Sequence, residues 1–283
     1  MAIQRMLVAL AVCLSLVGSA SADPDPNFHI YLCFGQSNMD SGGRMNEADR
    51  TVDKRFRVMA DFDAPRRGWE KGKWYDAVPP LSARGRGICM IDYFGRTLVA
   101  KLPEDVRVGV IKVAVPGCKI ELFEKDSFQT YLAGERDWMK NIVQGYGGNP
   151  YQTLVDMAKA GQNEGVIKGI LLHQGESNPG DKDWPNKVKG IYDNLMKDLH
   201  LNPQEVPMLA GELVHADQEG RCAGFNKIMA DLPQVLPNSH VISSAGCTTQ
   251  DRLHFDSAGS REFGKRYGEK MLELLGSQIA DSP

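Results

Sequence analysis

Five short apolar runs, at residues 28–34, 106–115, 169–173, 207–214 and 240–244, constrain the fold of this chain more than any other feature. Most of them do not alternate strictly between apolar and polar residues. A strand with one wet face alternates, whereas a strand covered on both faces reads as a nearly continuous apolar segment, the habit of a parallel sheet. Helix-like stretches fall between the runs, at 88–101, 151–160 and 184–199, and in the last of these Val188, Ile191, Leu195 and Leu199 recur at helical spacing. A final helix is expected to start at Asp256 or Ser257, whose side-chain oxygens can cap free N–H groups. It should bury Phe263, Tyr267, Met271 and Leu275 and stop at Gly276. Strands alternating with helices around one core predict an α/β fold, a three-layer α/β/α sandwich.

Composition agrees and removes several function classes. Of 283 residues, 42% are hydrophobic and 24% charged, so the chain has enough apolar surface for a sizeable core. Its 33 basic and 36 acidic residues give a net charge of −3, which lacks the basic surplus of a dedicated nucleic-acid binder. Residues 1–22 form a segment apart, with Arg5 before an apolar run and Ala20-Ser21-Ala22 at its end. That is the pattern of a secretory leader, and the run is short of the roughly 20 residues a membrane span needs. The expectation is a secreted or periplasmic protein, free of the membrane after cleavage, with residues 23–283 as one domain. Beyond the leader stand Cys33, Cys89, Cys118, Cys222 and Cys247, with no spacing suited to zinc, so no metal site is expected. Cys33 sits in the apolar run FHIYLCF as a core residue, and export makes a Cys222–Cys247 disulfide the expected pair.

Chemistry-bearing residues gather at the ends of the predicted strands. The first run leads into Gly35-Gln36-Ser37-Asn38-Met39, where a serine in a tight turn at a strand's carboxyl end presents its Oγ beside free backbone N–H groups. Serine needs a base to act as a nucleophile, and His254 in Asp251-Arg252-Leu253-His254-Phe255 is one candidate, with Asp251 three residues earlier able to orient its ring. Val115-Pro116-Gly117 ends the second strand and offers an unobstructed N–H. His173-Gln174-Gly175-Glu176-Ser177-Asn178 ends the third, too polar to be core throughout. Open α/β sheets bind ligands at this edge. Two long connections, 35–87 and 116–150, leave the same edge; Arg66, Arg67, Arg84, Arg86 and several aromatic residues suit the walls of a sugar cleft.

These blocks, GQSNM, VAVPG, HQGES and DRLHF in that order, resemble those of the SGNH hydrolases, and most closely carbohydrate esterase family six and the sialate O-acetylesterase-like domains. The resemblance spans nearly all of residues 23–283 and implies a flavodoxin-like sheet of five parallel strands. It implies a cofactor-free serine esterase that removes O-acetyl groups from an acetylated polysaccharide or oligosaccharide, most often acetylated xylan. Carried over by position, Ser37 matches the nucleophile, His254 the base and Asp251 its orienting acid. The oxyanion donors would be the N–H groups of Ser37 and Gly117 and the side-chain amide of Gln174, with Asn178 as an alternative to Gln174. Glu176 could orient His254 in place of Asp251, and Gln36 and Asn38 read as polar braces of the turn. A lipase or thioesterase of the same superfamily would share these residues but needs an apolar acyl channel; a non-catalytic sugar-binding domain would not need both Ser37 and His254.

Overall fold

Each of the five apolar runs becomes a strand in the computed structural model, which describes residues 23–280; the expected leader at 1–22 lies outside the described residues. The strands are β1 (Asp25–Gly35), β2 (Phe56–Met59), β3 (Trp74–Asp76), β4 (Arg107–Ala114), β5 (Gly165–His173), β6 (Met208–Gly211) and β7 (Ser239–Ile242). They form one sheet in the order β3-β2-β4-β1-β5-β6-β7, parallel except for β3, which runs antiparallel to β2. A separate hairpin joins β8 (Thr249–Asp251) to β9 (His254–Phe255). The helices that matter below are α1 (Ser37–Asp40), α2 (Met90–Val99), α3 (Asp137–Gly145), α4 (Pro150–Gln162), α5 (Trp184–Asp198) and α6 (Ser257–Ala280).

Taken alone, the five strands read from the sequence stand in the order second, first, third, fourth, fifth, which is the flavodoxin-like arrangement. The sheet nonetheless has seven strands, not five. β2 and β3 lie within residues 35–87, read above as a connection. They are four and three residues long and carry Arg57 and Asp76, which pair with each other across the strands. Strands this short, with a charge in each and β3 at the sheet edge, leave no long continuous apolar run.

Side-chain alternation on β1 divides the core. Ile30, Leu32 and Phe34 pack with residues of α3, α4 and α5, while Tyr31 and Cys33 pack with α2 and α6. This is the expected three-layer sandwich. Local signals set the helix ends: the Asn149 side chain accepts from Gln152 N–H at the start of α4, and Asp256 accepts from Gly259 N–H at 2.8 Å at the start of α6. α6 buries Phe263, Tyr267, Met271 and Leu275 as expected but continues past Gly276 to Ala280. A glycine stops a helix when the chain turns through positive φ there; the backbone of Gly276 stays out of that region, so the helix runs on. Among the described residues no helix is long and apolar enough to cross a membrane.

The expected Cys222–Cys247 disulfide does not form, and all five described cysteines are free thiols. The reason is topological. Cys247 is buried on the α2–α6 side of the sheet, whereas Cys222 packs against the core on the other side, and a bridge needs Cα atoms within about 7 Å.

Gly35, the last residue of β1, shows how tightly the strand ends meet. Its φ is +151°, and a Cβ there would sit 2.1 Å from the His173 carbonyl oxygen, which itself accepts from Gln36 N–H. Gly35→Ala is therefore expected to cost ~3 kcal/mol or more from strain and steric clash. Urea unfolding of the two proteins measures this, and a loss under half that size would show that the β5 end yields easily.

Candidate active site

Ser37, His254 and Asp251 meet although 217 positions separate the first two. Ser37 opens α1 immediately beyond the central strand β1, in the notch between the ends of β4 and β5. Its Oγ lies 3.0 Å from His254 Nε2, and His254 Nδ1 lies 3.0 Å from both carboxylate oxygens of Asp251. Asp251 and His254 face each other as a pair in the β8–β9 hairpin. The same Asp251 Oδ1 accepts from the backbone N–H groups of Leu253 and His254, so the carboxylate organises the turn as well as the ring. Burial works against its charge, but the bond from the imidazole and those two N–H groups outweigh it and hold the carboxyl below its ordinary 3.8. With Nδ1–H donated to Asp251, Nε2 is left to accept from the Ser37 hydroxyl.

The floor of α1 is anchored from inside the sheet. Lys112 on β4 is fully buried, and its Nζ donates to the Asp40 carbonyl at 2.5 Å, closing the short helix that begins at Ser37. Burial opposes its charge, yet Asp40, Asp61 and Asp92 together raise the ammonium above its ordinary value. No sequence pattern marks this lysine, because it sits in an otherwise apolar strand.

The cleft over Ser37 holds about 400 Å³ and is lined by Gln36, Gly117, Trp138, Glu176, Arg221 and His254, among others. Gly117 adopts φ +74°, and the Trp138 ring lies against it. Among the described residues, neither the Ser37 nor the Gly117 backbone N–H donates to a protein acceptor. A larger hollow of about 580 Å³ between Phe128 and Asn149 has Lys140 as its one titratable lining residue, so volume is no guide to the chemistry here.

The other sequence candidates divide. Glu176 reaches the cleft, but its Oε1 accepts from Asn38 Nδ2 at 2.7 Å and lies 3.7 Å from His173 Nδ1; no bond joins it to His254. Gln174 does not reach the cleft. It is wholly buried, its Nε2 donating to Asn178 Oδ1, Gln36 Oε1 and the Cys118 carbonyl while its Oε1 accepts from Trp184. Asn178 is equally committed, to Gln174, Ile120 N–H, Glu121 and Asp181. His173 is buried, which lowers its pKa and keeps the ring neutral.

Nor do the arginines of residues 35–87 wall the cleft. Arg67 stacks on Trp69 at 3.6 Å and Arg84 on Phe62 at 4.0 Å, packing their own segment, and Arg66 and Arg86 are exposed away from the lining. The cleft's own cation and aromatic ring are Arg221 and Trp138, the latter 46% exposed. Trp138 belongs to the second long connection, which the sequence did mark.

Residues 27–273 match the model of a family described as carbohydrate esterase, sialic acid-specific acetylesterase. Solved structures share the fold at low identity. A protein from Arabidopsis thaliana superposes with a TM-score of 0.65 at 18% identity, over 88% of this chain and 99% of its own. NanS gives 0.65 at 16% identity, over 90% of this chain and 99% of its own. A carbohydrate acetylesterase from Xanthomonas citri gives 0.58 at 16% identity, over 84% of this chain and 55% of its own.

Proposed function

Because the chain belongs to the carbohydrate esterase family of sialic acid-specific acetylesterases, we propose that it hydrolyses O-acetyl esters on sugars with Ser37 as nucleophile, His254 as general base and Asp251 as the orienting acid. One observation carries this reading: the unbroken line of hydrogen bonds from Ser37 Oγ through the imidazole to the Asp251 carboxylate, open to a cleft. The Ser37 oxygen attacks the acetyl carbonyl carbon as its proton passes to His254 Nε2. The N–H groups of Ser37 and Gly117 take the negative charge that develops on the carbonyl oxygen. Collapse breaks the bond to the sugar oxygen, which leaves with the proton from Nε2, and an acetyl-serine remains. Water, deprotonated by His254, then releases acetate and restores Ser37. Gln174 supports this indirectly, by holding Gln36 beneath the cleft.

Acetylated xylan is the substrate implied by the sequence motifs. A sialic acid is the second reading, favoured by Arg221, whose exposed cation at the cleft suits a sugar carboxylate. Export through residues 1–22 is part of the same proposal, since polymeric or glycan-bound acetates lie outside the cell. Acetate release from acetylated xylo-oligosaccharides, O-acetyl sialic acid and p-nitrophenyl esters of increasing chain length tests the reading. Turnover of at least one sugar acetate and of the short aryl ester is expected, with sharp loss by the octanoate. Faster turnover of the octanoate than the acetate would make the protein a lipase.

A further inference from the structure

Asn38 follows Ser37 on α1 and is 4% exposed, and its side chain bonds the segment that carries His254 through both its oxygen and its nitrogen. Its Oδ1 accepts from Phe255 N–H at 3.2 Å, and its Nδ2 donates to the Leu253 carbonyl at 2.9 Å. The amide thus grips the backbone on both sides of His254, as a neighbouring strand would. The second Nδ2 hydrogen goes to Glu176 Oε1 at 2.7 Å. A carboxylate only accepts, so Glu176 fixes which end of the amide faces it and therefore which end faces Phe255.

The consequence for geometry is direct. The β8–β9 hairpin is an outlying element, not a member of the seven-stranded sheet, and Asp251 on it is more than half exposed. The separation between Ser37 Oγ and His254 Nε2 depends on how this hairpin is seated, and the residue beside Ser37 seats it. We propose that Asn38 is a positioning residue for His254, and that Glu176 acts on the base through Asn38 by setting its amide orientation. This rests on the reading of Ser37 and His254 given above.

The test compares wild type, Asn38→Asp, Glu176→Gln, the double variant, and Ser37→Ala as a control, each with kcat and KM on p-nitrophenyl acetate. Asn38→Asp cannot donate to the Leu253 carbonyl and sets a second carboxylate against Glu176. Its kcat should fall about 100-fold with KM little changed, the scale expected when a reacting group is misplaced by about an ångström. In the double variant the new amide at 176 donates to the new carboxylate at 38, which still accepts from Phe255 N–H. The double variant should therefore recover about tenfold over Asn38→Asp alone, a coupling that a merely structural role would not produce. If Asn38→Asp does not fold, Asn38→Ser adds no charge, and a loss of about tenfold in kcat is expected from it. Full kcat in Asn38→Asp or in a folded Asn38→Ser overturns the proposal, as does a double variant no better than Asn38→Asp. Activity surviving in Ser37→Ala would instead overturn the serine reading, so the two failures are distinguishable.

Discussion

Ser37→Ala is expected to lower kcat on p-nitrophenyl acetate by about 10⁶-fold while the protein unfolds at the same urea concentration as wild type. The size follows from the chemistry, because without Oγ no acetyl-enzyme can form and the remaining N–H donors only polarise the carbonyl for attack by water. The neutrality toward folding follows from the contacts. The Ser37 hydroxyl makes a bond to His254 Nε2, while the helix it opens is closed by Lys112 on Asp40 and tied to the His254 hairpin through Asn38. Alanine keeps the backbone of Ser37, whose carbonyl accepts from Ser41 N–H. Activity above a thousandth of wild type in a homogeneous alanine protein would remove Ser37 as the nucleophile.

The central strands were legible because burial on both faces leaves a trace that short windows can read. Val108, Val110, Ile111 and Val113 of β4 are all fully buried, and the apolar run outweighs the single glycine within it. Ser37, His254 and Asp251 were legible because each falls at a boundary between elements, where a polar side chain has no packing reason to be. β2 and β3 escaped because their stability comes from pairing at the sheet edge, which a local window does not see. Lys112 escaped for a related reason, and Trp138 was marked only as one aromatic residue of its connection. A lysine whose charge is met by Asp40, Asp61 and Asp92 from distant segments looks, in its own strand, like a surface residue. Trp138 shares its segment with Tyr131 and Tyr146, yet only the fold brings it over Gly117. Gln174 and Asn178 misled for the opposite reason. Polar residues after a strand point to function on sequence alone, but these two satisfy each other and the Trp184 ring inside the core.

Which acid serves His254 is settled by a pair of substitutions with very different expected effects. Asp251→Asn keeps an oxygen that can accept from Leu253 and His254 N–H, so the turn should stand. Its other end becomes an NH₂ group facing Nδ1, which favours the imidazole tautomer protonated at Nε2. That nitrogen then cannot take the Ser37 proton, and kcat should fall by up to ~10⁴-fold. The wild-type carboxylate does not lose its role on mild acidification. Its pKa lies below the ordinary 3.8, so the carboxylate that orients the imidazole persists above that value and is lost only as the pH falls through the lowered one. Glu176→Gln touches no atom of the imidazole, and its amide oxygen can still accept from Asn38 Nδ2 in place of Oε1. Its kcat should fall by less than about tenfold, through a looser grip on Asn38 alone. A reversed order, with Glu176→Gln the more damaging, would make Glu176 the orienting acid and reduce Asp251 to a brace of the hairpin. Near-equal losses would mean that the imidazole changes partner during turnover, and the fixed line from Ser37 to Asp251 would describe only the resting enzyme.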